Sequence, residues 1–236
     1  MSATTPAWDA RRFDAVILDL DGTMVDTVGD FVAALQAMLG QLPAPCPQYR
    51  VQPEVVELLV GKGSENLIRQ ILARATAGCD AQMAQALYEP AWAAYQEHYR
   101  AINGLQARVY PGVAEGLERF RTLGWSMACV TNKPTEFATE LLRRKNLLGY
   151  FRCVLGGDAL ARKKPDPLPL LHACEVMGSS PQRTLMAGDS SNDAQAARAA
   201  GCAVLLVTYG YNHGEPVRAV GADAYTDSLA ELPWFD

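Results

Sequence analysis

No apolar run in this 236-residue chain approaches the length of a membrane span, and the opening MSATTPAWDARRFD lacks the apolar core of a secretory signal. No membrane partner is expected, and the cysteine pattern below makes the cytoplasm the expected location. Histidine is scarce: His98, His172 and His213 stand far apart, lack metal-ligand spacing and read as structural or surface residues. Cysteine occurs six times but never as Cys-x-x-Cys. Cys46, Cys79, Cys129, Cys153, Cys174 and Cys202 are scattered, four of them in apolar surroundings, and read as reduced thiols. Positive charge is in deficit, with 21 Lys and Arg against 26 Asp and Glu, a net of −5. That balance gives no reason to expect nucleic acid as partner. It also means that an anionic substrate needs local cations to overcome the overall field. Internal repeats and low-complexity tracts are missing. What remains is an ordinary globular composition, 49% hydrophobic and 20% charged. Monomer and homodimer are equally compatible with it.

The chain changes character twice. Residues 14–19 form a short β-branched run that reads as a buried strand. From 27 to 107 nothing resembles a strand. Helical periodicity marks Thr27 to Gly40, Glu54 to Val60, Ser64 to Ala77 and a long stretch from Ala81 to Ala101, with the proline-dense LPAPCPQYRVQP as a connection. Beyond Val109, helices and strands alternate. Strands are expected at Ser126–Val130, Cys153–Leu155, Thr184–Ala187 and Ala203–Val207, and helices at Val113–Leu123, Glu136–Lys145, Leu168–Met177 and Asp193–Ala200. Such alternation means an α/β fold, a doubly wound, Rossmann-like parallel sheet covered on both faces. Residues 1–26 and 108–236 would form this core, and 27–107 an all-helical insertion after its first strand.

In an open parallel sheet, ligands bind beyond the carboxyl ends of the strands. The first strand ends at Asp19 and Asp21 within ILDLDGT. Two residues apart on extended backbone, they project to the same side. Like charges so placed repel, a conflict that a bound cation or a shared proton removes. The second strand delivers Thr131 and Asn132, and the third leads through GGDALARKKPDP to Lys163 and Lys164. The fourth delivers Asp189, Ser190, Ser191, Asn192 and Asp193. Each cluster alone has a plainer explanation: a turn, a helix cap or a solvated loop. Their recurrence at successive strand ends is harder to explain that way. An EF-hand is excluded, because its glycine and glutamate positions hold Met24 and Asp30. The inventory suits phosphoryl transfer, in which a carboxylate can attack phosphorus. Magnesium takes oxygen ligands from one or two carboxylates, and Asp19 and Asp189 can supply them.

These motifs resemble those of haloacid-dehalogenase-like hydrolases: DLDGT, a strand ending in VTN, then Lys-Pro, then GDSSND, all in order between residues 14 and about 207. VTNKPT (130–135), KKPDPLPL (163–170) and TYGYNHGE (208–215) are similar to the family of bacterial phosphoglycolate phosphatases. The resemblance implies a phosphatase for a small phosphate ester such as 2-phosphoglycolate, working with Mg2+. It implies Asp19 as nucleophile and metal ligand, and Asp21 as general acid and base whose carbonyl touches the metal. It further implies Thr131, Asn132 and Lys164 on the phosphate, Asp189 as metal ligand, and Asp193 supporting it from behind. The helical insertion resembles the family's small cap. A sugar phosphomutase on the same scaffold, and a phospho-accepting receiver without turnover, remain as alternatives. VGKGSEN (60–66) falls short of a dinucleotide fingerprint, since Asn66 takes the last glycine position and no strand precedes it. It is expected to join two cap helices and face the crevice, with Lys62 toward a substrate carboxylate. TYGYNHGE is expected to be a glycine-rich turn.

Overall fold

The computed structural model describes residues 9–80 and 82–232. The opening apolar run becomes strand β1, Ala15–Leu18, with all four residues buried. Its side chains divide between two clusters. Val16 and Leu18 join Phe120, Leu141 and Leu205 on one face, while Ala15 and Ile17 join Leu170, Met186 and Ala197 on the other. A strand apolar on both sides can be satisfied only in the middle of a covered sheet. Strands β2 (Val25–Asp26) and β3 (Arg108–Val109) come next, separated by the helical block. Then follow β4 (Ser126–Val130), β5 (Cys153–Leu155), β6 (Thr184–Gly188), β7 (Ala203–Val207) and β8 (Ala224–Thr226). The main sheet runs β5-β4-β1-β6-β7-β8, with every pairing parallel. Thus β1 lies centrally, with β4 and β6 on either side, and their carboxyl ends sit side by side.

The helical block comprises α1 (Val28–Gly40), α2 (Pro53–Leu59), α3 (Ser64–Ala75), α4 (Met83–Ala86) and α5 (Tyr88–Ile102). It buries its own cluster, in which Phe31, Leu35, Ile68, Ile71, Tyr95 and Tyr99 are prominent. Phe31 stacks on Tyr99 at 5.2 Å between centroids, and Tyr99 on Tyr95 at 5.2 Å. The core supplies one member, Phe137, edge-on to Tyr99. The helix expected from Ala81 to Ala101 is two helices. Pro90 explains the break: it has no N–H for the carbonyl of Ala86, so an unbroken helix cannot pass through it. In the first turn of α5 the missing donor does no harm. Ala81, the expected start, lies outside the described residues.

The chain leaves and re-enters the core through the β2–β3 ribbon, where Val25 faces Val109 and Asp26 faces Arg108. Just beyond, the fully buried Asp30 accepts backbone N–H groups of Gly104 at 2.5 Å, Gln106 at 2.7 Å and Ala107 at 3.2 Å. One carboxylate thereby holds the outgoing helix to the returning strand. The flanking helices α6 (Val113–Thr122), α7 (Thr135–Arg144), α8 (Leu168–Met177) and α9 (Ser191–Ala200) match expectation to within two residues at their ends. Strands β2, β3 and β8, of two or three residues each, were not anticipated.

Candidate active site

The site starts where β1 stops. The N–H of Asp19 still donates to the Ala187 carbonyl of β6 at 3.0 Å, so the ladder continues to the first carboxylate. The backbone then folds tightly, with N–H groups of Met24 and Val25 both donating to the Leu20 carbonyl at 3.0 Å. Gly22 turns the corner at φ 85°; a side chain there would lie 2.3 Å from Asp189 Oδ2. The turn presents Asp21 on the same crevice. Thr27 Oγ1 donates to its Oδ1 at 2.7 Å, and Lys133 Nζ approaches the same oxygen at 2.9 Å.

Beside it, β6 runs into α9. Ser190 and Asp193 form a reciprocal capping box that fixes the helix start over the crevice. Asp193 is consumed by this work. Its Oδ2 accepts from the Asp189 and Ser190 N–H groups and the Ser190 hydroxyl, while Oδ1 takes Lys164 Nζ at 2.6 Å. Asp189 is held more lightly, by the Thr23 hydroxyl at 3.0 Å and the Tyr211 N–H at 2.8 Å. Gly210 makes room for it, since a Cβ there would sit 2.1 Å from Asp189 Cβ.

From β4 and its neighbouring loop come Thr131, Asn132 and Lys164, all buried. Thr131 Oγ1 accepts the Lys133 N–H in a short side-chain turn at 3.2 Å. Asn132 Nδ2 donates to the carbonyls of Lys164 (2.9 Å) and Gly61 (2.8 Å), tying core to insertion. Its Oδ1 is buried without a partner among the described residues, and an acceptor so placed awaits a donor. Lys164 Nζ lies 2.9 Å from Asp19 Oδ1. The two form a buried ion pair.

These charges conflict as they stand. Burial pushes the Asp19 carboxyl up to about 7; Lys164 opposes that rise and Asp193 adds to it. Burial, then Asp193 and Asp19, drive Asp189 well above the carboxylate range. Lys164 is held above its usual value because Asp19 and Asp193 outweigh the penalty of burial. One buried lysine stands against three buried carboxylates, whose oxygens lie within 4.8 Å of one another. This cluster fits a divalent cation. The donors are hard oxygens, all three carboxylates are buried, and the missing quantity is positive charge. Proximity alone would add Asp193 as a third ligand. Its oxygens are already saturated with donors, so we assign it to support Asp189 and Lys164.

Asp19, Asp21, Thr131, Asn132, Lys164 and Asp193 line one cavity, closed on the helical side by Phe31, Val60, Gly61, Gly63, Ser64 and Leu67. Asp189 stands beside Asp19 in the acidic cluster. Lys62 sits on the expected loop, but its side chain is not part of the lining; its carbonyl accepts Lys163 Nζ at 3.3 Å. Two features escaped sequence reasoning. Lys133, within the VTNKPT motif, is buried in the cavity wall against Asp21. The stretch 208–215 is more than a turn. Tyr211 reaches Asp189 through its N–H, and its hydroxyl donates to Asp26 at 2.7 Å and accepts the Thr27 N–H at 3.0 Å. Tyr209 donates to the Thr23 carbonyl, and Asn212 accepts the Ser191 N–H. His213, on the same stretch, abuts Gly61 and Asn192 and has a structural place, as expected of it. The one sequence signal was compositional: two tyrosines and an asparagine alternate with glycine, more hydrogen-bonding side chains than a plain turn needs.

Residues 13–201 match the family described as "Hydrolase: haloacid dehalogenase-like hydrolase". A phosphoglycolate phosphatase of Thiobacillus denitrificans is 46% identical over 217 residues, 92% of each chain. One from Nitrosospira multiformis is 44% identical over the same shares. The crystal structure of a predicted phosphoglycolate phosphatase from Haemophilus somnus 129pt superposes with a TM-score of 0.85 at 30% identity, covering 93% of this chain and 96% of that one. The chain belongs to the haloacid dehalogenase-like hydrolases. Within that family it belongs with the phosphatases, as a phosphoric monoester hydrolase.

Proposed function

We propose that the protein hydrolyses 2-phosphoglycolate to glycolate and phosphate with Mg2+ as cofactor, through a phosphoryl group carried on Asp19. The observation that bears most weight is the buried meeting of Asp19, Lys164 and Asp189, with Asp21 on the same turn. The names of the relatives at 46% and 44% identity favour this ester over other small ones.

Asp19 is the attacking group. Its oxygen forms a bond to phosphorus as the bond to the ester oxygen breaks, and Asp21 gives that oxygen a proton. Asp21, now a base, takes a proton from water as the water oxygen attacks phosphorus, and Asp19 is freed with release of phosphate. Lys164 neutralises charge on the transferring group and the Thr131 hydroxyl orients it, while Asn132, whose amide N–H groups are taken by the Gly61 and Lys164 carbonyls, helps by holding the Lys164 loop in place. Magnesium held by the Asp19 and Asp189 carboxylates and the Asp21 carbonyl would supply the positive charge that favours ionised Asp19. Asp193 keeps Lys164 and the Asp189 backbone in place. The helical block 27–107 acts as a cap. At about 30 Å³ the cavity has room for only a few water molecules. The cap therefore opens to admit an ester and closes to exclude water.

Phosphate release from a panel of esters, with and without chelator, tests the reading. 2-Phosphoglycolate should be preferred and chelator should stop turnover. Asp19→Asn should abolish release and covalent labelling together, whereas Asp21→Asn should slow both departure of the alcohol and hydrolysis. Normal turnover by Asp19→Asn would end the assignment.

A further inference from the structure

Among the described residues, Lys133 is the one buried cation that this mechanism leaves unused. Its side chain is 2% exposed. Its ammonium lies 4.4 Å from the ring centre of Phe31 and 4.9 Å from that of Tyr99, both cap residues, while the lysine belongs to the core. It therefore stands at the seam between cap and core, in the wall of the substrate cavity. Cation–π contacts favour an ammonium there but leave most of its hydration unreplaced.

The hydrogen-bond arithmetic is informative. An ammonium has three donors and no acceptor. One reaches Asp21 Oδ1 at 2.9 Å, and no other acceptor for Nζ is found among the described residues. The Thr27 hydroxyl also falls on Asp21 Oδ1, so both described contacts crowd one oxygen. The other oxygen is left to exchange a proton with the ester oxygen of a bound substrate. The ester oxygen and the Lys133 ammonium are then neighbours on the same carboxylate. In an ester whose oxygen carries a CH2–COO− group, the carboxylate carbon lies only two bonds from that oxygen. Its own oxygens come within reach of the donors that Lys133 has left.

Resting on the proposed phosphatase reading, we propose that Lys133 is a specificity residue that receives the carboxylate of a phosphate ester bearing its carboxyl on the carbon next to the ester oxygen. Asp21 holds the ammonium in position, and the Phe31 and Tyr99 rings deny it water when the cap is shut. This selects short acids: a carboxylate placed further along the chain passes the ammonium. Lys62, outside the cavity lining, has no comparable position.

The test is a pair of non-hydrolysable inhibitors, 3-phosphonopropionate and propylphosphonate, which share a phosphonate and differ in the carboxylate. The unaltered protein should bind the first about 30-fold more tightly, or about 2 kcal/mol at 1.4 kcal/mol per decade. Lys133→Met should bring the ratio of inhibition constants near one, whatever it does to turnover through Asp21. An unchanged ratio in Lys133→Met would overturn the proposal. A crystal structure of the unaltered protein with 3-phosphonopropionate gives a readout independent of the variant's folding. A carboxylate oxygen within hydrogen-bond distance of Lys133 Nζ supports the inference, and a carboxylate lodged against Lys62 or the start of α3 refutes it. The parent reading fails differently. Unaltered protein that releases phosphate from 2-hydroxyethyl phosphate as readily as from 2-phosphoglycolate removes the substrate assignment and, with it, the need for a carboxylate receiver. A preference for 2-phosphoglycolate that survives Lys133→Met removes only the role given to Lys133.

Discussion

Replacing Asp30 should loosen the cap at its root, and the structure sets the size of the effect. The carboxylate accepts three backbone N–H groups from Gly104, Gln106 and Ala107, and is itself fully buried. The bonds to Gly104 and Ala107 are buried, while that to Gln106 is half-exposed, so water can replace only the last. A buried donor left without a partner costs about 1–3 kcal/mol. Asp30→Ala orphans two such donors and should destabilise by roughly 4 kcal/mol. Asp30→Asn is subtler. Its oxygen can keep Gln106 and Ala107, but its amide must then turn an N–H toward the N–H of Gly104. One conflict in place of two orphans should cost about 2 kcal/mol. For a chain of this size each kcal/mol lowers the melting temperature by about 2–4 °C, so the expected drops are roughly 8–16 °C for Ala and 4–8 °C for Asn. Calorimetry on the two variants measures both. A drop below about 3 °C for Asp30→Ala, against the scale just given, would refute the reasoning. So would Asn proving worse than Ala.

The raised carboxyls of Asp19 and Asp189 predict a pH dependence of the metal-free protein. A carboxyl raised on folding contributes stability that is present at low pH and is lost as pH rises through its folded value, about 7 for Asp19. In chelator, the melting temperature should therefore rise on going from about pH 8.5 to about pH 6.5, and Asp19→Asn should flatten the trend. Added Mg2+ should stabilise more at the higher pH; equal stabilisation at both would contradict the linkage. Gly210→Ala puts a methyl 2.5 Å from Asp189 Oδ2 and should weaken Mg2+ affinity by about 100-fold, read as the metal concentration for half-maximal phosphate release. Thr23→Val, nearly isosteric, removes a single hydrogen bond to Asp189 and should weaken it by only about 10-fold; a larger loss for Thr23→Val than for Gly210→Ala would reverse the account.

What could be read in the sequence follows from how each residue is buried. Asp19, Thr131 and Asp189 were legible because each ends an apolar strand, and parallel strands must bring their ends together. The strand itself advertises the site. Lys164 sits further out, in a loop reached from the third strand, where position offered Lys163 and Lys164 alike; the resemblance to a family motif chose between them. Lys133 was quoted within VTNKPT without being assigned a role, because a lysine two residues past a strand and just before proline looks like an ordinary solvated turn. Its burial is decided by Phe31 and Tyr99, about 100 and 34 residues away in sequence, which no local pattern connects to it. The same holds for Tyr211. Glycine beside it reads as a turn, and the turn is real, but what it does depends on Asp189 and Asp26 arriving from two other elements. The helical block was recognised as a block, yet its α4–α5 break was missed because the apolar period runs on through Pro90 while the backbone hydrogen bonds do not. Strand ends thus disclose the chemistry that the core performs. The residues that adapt this chemistry to one substrate lie at the seam between core and cap, where each wall is supplied by a different part of the chain. In this fold, therefore, the reaction type is more legible than the specificity, and Lys133 is where the two meet.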